Sequence, residues 1–301
     1  MKPSLIKEFR PMGPFNLLNQ NKYFNGWPLL DDKQTIVMAF PVEGWAESAA
    51  VSIKQLKNKS LELSVYGASD NAGQAISQAL ATLSADEDGG GWENVGQRDP
   101  KIAELQKQYN YMRPTLFHSP YEATAHFMIG HRISMIQGRK IRQQVAERHG
   151  EKFIVDSKEF YAFPSPQKLL QIESFPGISQ TKIERLHEAA QAALDGWLDR
   201  KSLRQLDEET ALTKLETIPG IGRFFSQGIL DRGAGGADAF THDDLTYHAI
   251  GIRYGLGENP TKEQVLKVAE HWRPYRMWAL VLLHVWLRES GNLPKRTFSK
   301  R

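Results

Sequence analysis

The stretch TIPGIGRFF, from Thr217 to Phe225, interrupts a part of the chain that otherwise has the composition of helices. It places Pro219, Gly220 and Gly222 within four positions. Inside a helix, proline and glycine cost about 3 and about 1 kcal/mol relative to alanine. The sequence therefore predicts a tight turn between two helices, in which glycine supplies backbone conformations that other residues avoid.

This turn has two interpretations. In the structural one it only joins two helices. In the functional one, the unpaired N–H groups and the positive dipole at the start of the second helix bind a phosphate, which the two glycines allow to come close. Arg223 adds a positive charge, and such a contact suits a protein that grips DNA at any sequence. A dinucleotide fingerprint is excluded, because it requires a third glycine three residues after Gly222, where the chain has Phe225.

Composition narrows the class of protein. With 301 residues, 41% hydrophobic and 24% charged, the chain has the make-up of a soluble globular protein with a real core. The absence of cysteine excludes disulfides, thiolate zinc sites and cysteine nucleophiles, and the nine histidines show no tight ligand spacing, so no metal site is expected. The apolar run Met277 to Leu287 is shorter than the roughly 20 residues of a membrane span, and the N-terminus has no apolar signal region. We therefore expect a cytoplasmic protein.

Positive charge is concentrated locally. Residues 131–152 contain two acids and six basic residues: Arg132, Arg139, Lys140, Arg142, Arg148 and Lys152. The tail GNLPKRTFSKR, residues 291–301, adds four basic residues and no acid. Basic stretches suit a polyanion, although each could also be a solvated helix face.

Hydrophobic periodicity predicts an α+β fold that is mainly α-helical. The segments TIVMAF, AVSIKQL and LELSVYG are typical of strands in a small N-terminal sheet, and Ile76, Leu80 and Leu83 share one face of the helix that follows. DEDGGG, residues 86–91, indicates a linker, and from Asp99 onward the patterns are helical, with a join near Gly130 and a capping box at Thr261 and Gln264.

Two aspartates begin one of the late helices. A single aspartate before a helix is usually its N-cap, and Asp243 can fill that role. Asp244 then lies inside the first turn and is free to serve another purpose.

Taken together, TIPGIGRFFSQGILDRGAGGADAFTHDDL, with an aspartate 22 residues after Gly222, and the later WRPYR closely resemble the helix-hairpin-helix DNA glycosylases. The remainder resembles the 3-methyladenine DNA glycosylase II (AlkA-type) branch over nearly the whole chain. The resemblance implies an N-terminal α+β domain at 1–91, a helical lobe at 92–118 and 230–301, and a central helical lobe at 119–229 that ends in the hairpin.

The resemblance also implies roles for individual residues. Asp244 matches the catalytic aspartate, and Phe224 occupies the position where bifunctional relatives carry a Schiff-base lysine, which implies a monofunctional enzyme without lyase chemistry. The candidate DNA contacts are Pro219, Gly220, Ile221, Gly222, Arg223, His131 and Arg132. The candidate base-pocket residues are Trp286, Phe224, Tyr247 and Trp278.

Two positions depart from the family pattern. His131 and Arg132 stand where the branch usually has Gln followed by Gln or Leu, and that Leu is the wedge that fills the gap left in the duplex by the flipped nucleotide. Gly228 stands where an aromatic residue of the base pocket can occur. Arg132 is either the wedge or a phosphate contact, in which case Ile133 is a candidate wedge.

The function implied is hydrolysis of the N-glycosidic bond of alkylated, 3-methyladenine-like purines that are flipped out of duplex DNA. An alkylated purine is a cationic leaving group, so one carboxylate can suffice where ordinary glycoside hydrolysis uses two. The alternatives are a non-catalytic DNA-binding protein and a glycosylase for a different damaged base. We expect a monomer that binds double-stranded DNA and no membrane, with no cofactor, while a monovalent cation at the hairpin is left open.

Overall fold

The computed structural model describes residues 2–23 and 26–294, without the side chain of Tyr23. In chain order the strands are β1 (Leu5–Phe9), β2 (Thr35–Pro41), β3 (Ser48–Gln55), β4 (Leu61–Gly67), β5 (Lys152–Val155) and β6 (Lys158–Tyr161). The helices are α1 (Leu17–Tyr23), α2 (Ala72–Thr82), α3 (Trp92–Arg98), α4 (Pro100–Gln108), α5 (Pro120–Gly130), α6 (Met135–His149), α7 (Pro166–Leu169), α8 (Gln180–Leu194), α9 (Arg200–Arg204), α10 (Glu208–Glu216), α11 (Arg223–Ile229), α12 (Asp244–Tyr254), α13 (Lys262–Ala269) and α14 (Arg276–Glu289). The mainly helical α+β class is confirmed.

The chain divides into two compact units. The first unit contains residues 2–11, 26–86 and 115–235, and the second contains 12–23, 87–114 and 236–294. The predicted N-terminal domain and the predicted central lobe thus fall largely in the same unit, and the change of unit after Asp86 lies in the predicted linker.

The sheet of the first unit is antiparallel, with strand order β1-β4-β3-β2. Strands β2 and β3 are buried along almost their full length, as expected of strands that are covered on both faces. Phe153 and Phe160, from the two-stranded β5–β6 ribbon, pack against Val37 and Ala50 of this sheet. The three strands predicted from the sequence are confirmed, whereas β1 and the ribbon were not predicted.

The helical core of the first unit is built around α5 and α8. Helix α5 begins with Pro120 after Ser119, whose hydroxyl accepts a bond from the Glu122 N–H at 3.1 Å, an arrangement that starts a helix well. Helix α8 buries a row of alanines, which lets neighbouring helices approach closely. The predicted join near Gly130 is confirmed, because α5 ends there and α6 begins at Met135.

The second unit has an aromatic core that contains Trp92, Trp272 and Trp278. Asp99 caps α4 and also accepts a 2.8 Å hydrogen bond from the Trp272 indole. The capping box of Thr261 and Gln264 forms as predicted at the start of α13. No helix within residues 2–23 and 26–294 is both long and apolar enough to cross a membrane.

Candidate functional site

The predicted turn joins α10 to α11 and is held from inside. Ile218 and Ile221 point into the core of the first unit, while Pro219, Gly220 and Gly222 are exposed. The Ile221 N–H donates to the Ile218 carbonyl at 3.0 Å and closes the turn. Because its side chain is buried, Ile221 offers an incoming molecule its backbone alone, so the DNA contact predicted for this residue would be made by its backbone.

The two glycines of the turn are needed for different reasons. Gly220 has φ +89°, in the left-handed region, and a Cβ there would lie 2.6 Å from Cδ of Arg185. Gly222 has an extended backbone that any residue adopts, and a Cβ there would meet no atom within 4 Å. The space in front of Gly222, at the start of α11, is therefore open to a ligand.

Arg223 is the first residue of α11, and its guanidinium is engaged by carboxylates. It donates to both oxygens of Glu209, at 2.7 and 3.0 Å, and approaches Glu216 at 3.4 Å. These hydrogen bonds and charges raise the pKa of Arg223. Exposed ion pairs contribute little to stability, so Arg223 can exchange these carboxylates for another anion.

A second turn lies between α5 and α6. His131 has φ −58° and ψ 123°, Arg132 has φ +59°, and the Ile133 N–H donates to the Gly130 carbonyl at 3.2 Å. The angles of His131, the positive φ of Arg132 and this hydrogen bond match a type II turn, whose third position favours glycine. An arginine held in the left-handed region is an outlier of the kind found at functional sites. Its side chain is exposed.

Lys182, from α8, stabilises this turn through hydrogen bonds to its backbone. Its ammonium donates at 2.8 Å to the carbonyls of Ile129 and His131, which lie at the end of α5 where carbonyls lack helical partners. The pKa of His131 is lowered by burial and then by the positive charges of Arg132, Lys182 and Arg185. The turn is therefore surrounded by cations.

The basic stretch at 131–152 does not form one surface. Arg132, Arg139 and Lys140 are exposed together near the start of α6, but Arg142 turns inward and its guanidinium carbon lies 5.8 Å from the Phe117 ring centre. Lys152 is paired with Glu159 on the ribbon. The four basic residues of the tail, Lys295, Arg296, Lys300 and Arg301, lie outside the described residues.

Aromatic rings connect the two turns. Phe224 is 72% exposed at the start of α11. The ring of its half-buried neighbour Phe225 lies 5.5 Å from the rings of both His131 and Phe127. A Cβ at Gly228 would lie 2.5 Å from Cζ of Phe127, so the ring of Phe127 occupies the space that a side chain at position 228 would fill. Neither Phe127 nor Phe225 was predicted, because their sequence spacing is that of ordinary core residues.

In the second unit, Asp243 is the N-cap of α12, and its carboxylate accepts a 2.6 Å hydrogen bond from the Thr246 N–H. Asp244 is exposed in the first turn, and its carboxylate has no hydrogen bond or ion pair to any residue of the described ranges. Thr246 is also bonded to His284 of α14 at 3.2 Å, which fixes this end of the helix. The prediction that Asp243 is the N-cap of α12 is confirmed, while the catalytic role of Asp244 stays a prediction.

The aromatic candidates of the second unit differ in position. Tyr247 lies one turn after Asp244 on the same face of α12, half exposed, with its hydroxyl 3.1 Å from Nδ1 of His242. Trp286 is partly exposed, and the guanidinium of Arg253 lies 5.1 Å from its ring centre. Trp278 is 1% exposed and packs against Trp92 in the core, so it has no surface to offer a base and is removed from the pocket candidates.

Curated relatives are similar to this chain over more than half its length. It is 32% identical over 174 residues to DNA-3-methyladenine glycosylase 2 of Escherichia coli, covering 56% of this chain and 58% of the relative. It is 23% identical over 194 residues to DNA-3-methyladenine glycosylase of Bacillus subtilis, covering 63% and 64%. The chain thus spans about three fifths of the length of these two relatives. No protein-family model matches it.

Solved structures show the same fold at low sequence identity. The 3-methyladenine DNA glycosylase of Archaeoglobus fulgidus superposes with a TM-score of 0.73 at 20% identity, covering 99% of this chain and 100% of that one. An 8-oxoguanine glycosylase/lyase of Clostridium acetobutylicum, solved with double-stranded DNA, gives 0.67 at 16% identity, covering 97% and 100%.

Proposed function

We propose that this chain is a member of the AlkA-type branch of the helix-hairpin-helix DNA glycosylases and a monofunctional enzyme that releases alkylated purines from double-stranded DNA. The observation that carries the proposal is the pair of aspartates at the start of α12. Asp243 satisfies the helix end, and this leaves the exposed carboxylate of Asp244 available to a substrate.

One carboxylate fits the chemistry of this substrate class. An alkylated purine carries a positive charge and leaves without an acid to protonate it, so the enzyme needs only to stabilise the positive charge that develops on the sugar or to activate water. Asp244 supplies that negative charge. Tyr247, on the same face of α12, and Trp286 offer aromatic surfaces that attract an electron-poor base.

The grip on DNA is proposed for the first unit. The open space at Gly222 admits a phosphate to the start of α11, and Arg223 exchanges its carboxylate partners for that phosphate. Arg132 is proposed to fill the place of the flipped nucleotide, because the left-handed turn holds its exposed side chain away from the core.

The reaction is proposed to end with release of the base, without the lyase step that cleaves the DNA backbone in bifunctional relatives. Phe224 occupies the position of the lysine that forms a Schiff base in bifunctional relatives. The amine of Lys182 already donates to two carbonyls, which supports a structural role for it.

The test is release of free base from duplexes that carry one alkylated, oxidised or deaminated base. We expect release of alkylated purines, with intact abasic DNA as the other product. Reduction with borohydride during turnover checks the lyase question. A covalent adduct of protein and DNA would contradict the monofunctional assignment, and release of only oxidised or deaminated bases would favour a glycosylase for another lesion.

A further inference from the structure

Two apolar side chains at the start of α6 are almost fully exposed. Met135 is 85% and Ile136 is 82% exposed, the highest values among the large hydrophobic side chains that the structure describes. An apolar side chain stabilises a fold in proportion to the area it removes from water, so this pair contributes almost nothing to folding. Contiguous exposed apolar groups of this kind mark contact sites.

The pair has a defined position next to the turn that holds Arg132. The Ser134 hydroxyl accepts a 3.2 Å hydrogen bond from the Gln137 N–H and starts α6 immediately before Met135. The ring of His131, in the turn itself, lies 5.5 Å from Phe225 of α11. Met135 and Ile136 therefore directly follow one of the two turns that we assign to DNA binding, and this turn contacts α11, which begins at the other.

The charges around the pair identify its partner. Arg139 and Lys140 follow Met135 and Ile136 by four residues, so each cation lies one turn behind an apolar side chain on the same row of the helix. Arg132 adds a third exposed cation at the preceding turn. An apolar tip followed by cations matches a duplex, whose phosphates lie outside and whose sugars and base edges lie inside. A protein partner would need about 800 Å² on this side, far more than two side chains provide.

We propose that Met135 and Ile136 form an apolar tip that enters the minor groove beside the flipped nucleotide and supports the unstacked bases next to it. This inference rests on the proposed function. Four residues of helix rise about 6 Å, close to the roughly 7.5 Å depth of the minor groove. When the start of α6 is directed into the groove, the tip reaches the base edges while Arg139 and Lys140 remain level with the phosphates. Apolar wedges in that groove unstack base steps and kink the duplex.

The test compares M135Q/I136Q with the wild-type chain and with the control L194Q. Leu194 is 36% exposed at the far end of α8, about 18 Å along that helix from Lys182. The probe is a duplex with one tetrahydrofuran abasic analogue beside 2-aminopurine, whose fluorescence rises when it is unstacked. An intact duplex of the same sequence serves as the reference for general DNA binding. Thermal denaturation checks that each variant is folded.

We expect M135Q/I136Q to weaken binding to the abasic duplex by about tenfold and to lose most of the fluorescence rise, with binding to intact duplex unchanged within about twofold. L194Q should behave like the wild-type chain. An unchanged fluorescence rise in M135Q/I136Q, or an equal loss on the abasic and intact duplexes, would overturn the inference.

Base release is measured separately, so the two claims can fail independently. If the wild-type chain releases no base while its fluorescence rise depends on Met135 and Ile136, the proposed function is wrong and the tip stands. If base is released and M135Q/I136Q matches the wild-type chain in both assays, the tip is wrong and the function stands.

Discussion

Arg132 gives a test in which folding and function should move in opposite directions. The residue sits at the third position of a type II turn with φ +59°, where a non-glycine residue costs roughly 1–2 kcal/mol. Replacing it by glycine removes that cost but adds about 0.5–1 kcal/mol of backbone entropy in the unfolded chain. The Arg132→Gly protein should therefore be as stable as the wild-type chain or up to about 1.5 kcal/mol more stable. Arg132→Ala retains the strained backbone and gains nothing.

Thermal denaturation of the two variants measures the first half of this prediction, with the Arg132→Gly protein melting about 2 °C above the Arg132→Ala protein. Single-turnover base release measures the second half. Both variants should be about tenfold slower than the wild-type chain on a fully paired lesion and less affected on a mismatched one, because unpairing there costs less. Arg132→Leu should retain much of the activity. If the Arg132→Gly protein were less stable than the Arg132→Ala protein, the assignment of a strained left-handed backbone at Arg132 would be refuted. If binding to all DNA weakened uniformly, Arg132 would be a phosphate contact and not the residue that replaces the flipped nucleotide.

Three further predictions follow from contacts within the first unit. Gly222→Ser should leave the melting temperature unchanged, since the backbone and the space around Gly222 permit a side chain and serine caps helices well, but it should weaken DNA binding in a titration. Gly220→Ala should lower the melting temperature, because Gly220 has a positive φ and a Cβ there would contact Arg185. Normal DNA binding by Gly222→Ser would leave the hairpin a purely structural turn. Lys182→Met should remove two hydrogen bonds from the turn and slow base release from paired more than from mismatched duplex; equal slowing on both would contradict a positioning role. Burial raises the pKa of Glu43 to about 7, so the folded chain binds this proton more tightly than the unfolded chain, and the free energy of unfolding should fall by up to about 1.4 kcal/mol per unit as the pH rises from about 4.5 to 7. Glu43→Gln should abolish that dependence in melting curves, and an unchanged pH profile would show that Glu43 is not its source.

Local sequence signals were sufficient for much of the fold. The turn at 217–222, the Asp243 cap and the join near Gly130 each follow from residue types within a few positions of one another. Such features depend on backbone conformations and helix ends, which nearby residues determine.

The features that sequence reasoning missed depend on contacts between distant segments. Lys182 reaches carbonyls 51 and 53 residues away, and the Phe127 ring fills the space at Gly228. The inward turn of Arg142 likewise depends on Phe117, which belongs to another segment, and so the basic stretch looked more uniform than it is. The burial of Trp278 does not follow from its local sequence, because Trp278 and Trp286 both lie on α14 and only tertiary packing decides which of them is covered.

The central claim is that Asp244 performs the chemistry while Asp243 only caps the helix. Single-turnover release of an alkylated purine from duplex DNA tests it most directly, with Asp244→Asn compared against Asp243→Asn. We predict that Asp244→Asn lowers the rate by about a hundredfold or more while DNA affinity stays within a few fold, because a charge that stabilises the transition state is lost. Asp243→Asn should be nearly as active as the wild-type chain, since asparagine caps helices as well as aspartate does. Equal losses from the two substitutions would contradict the account.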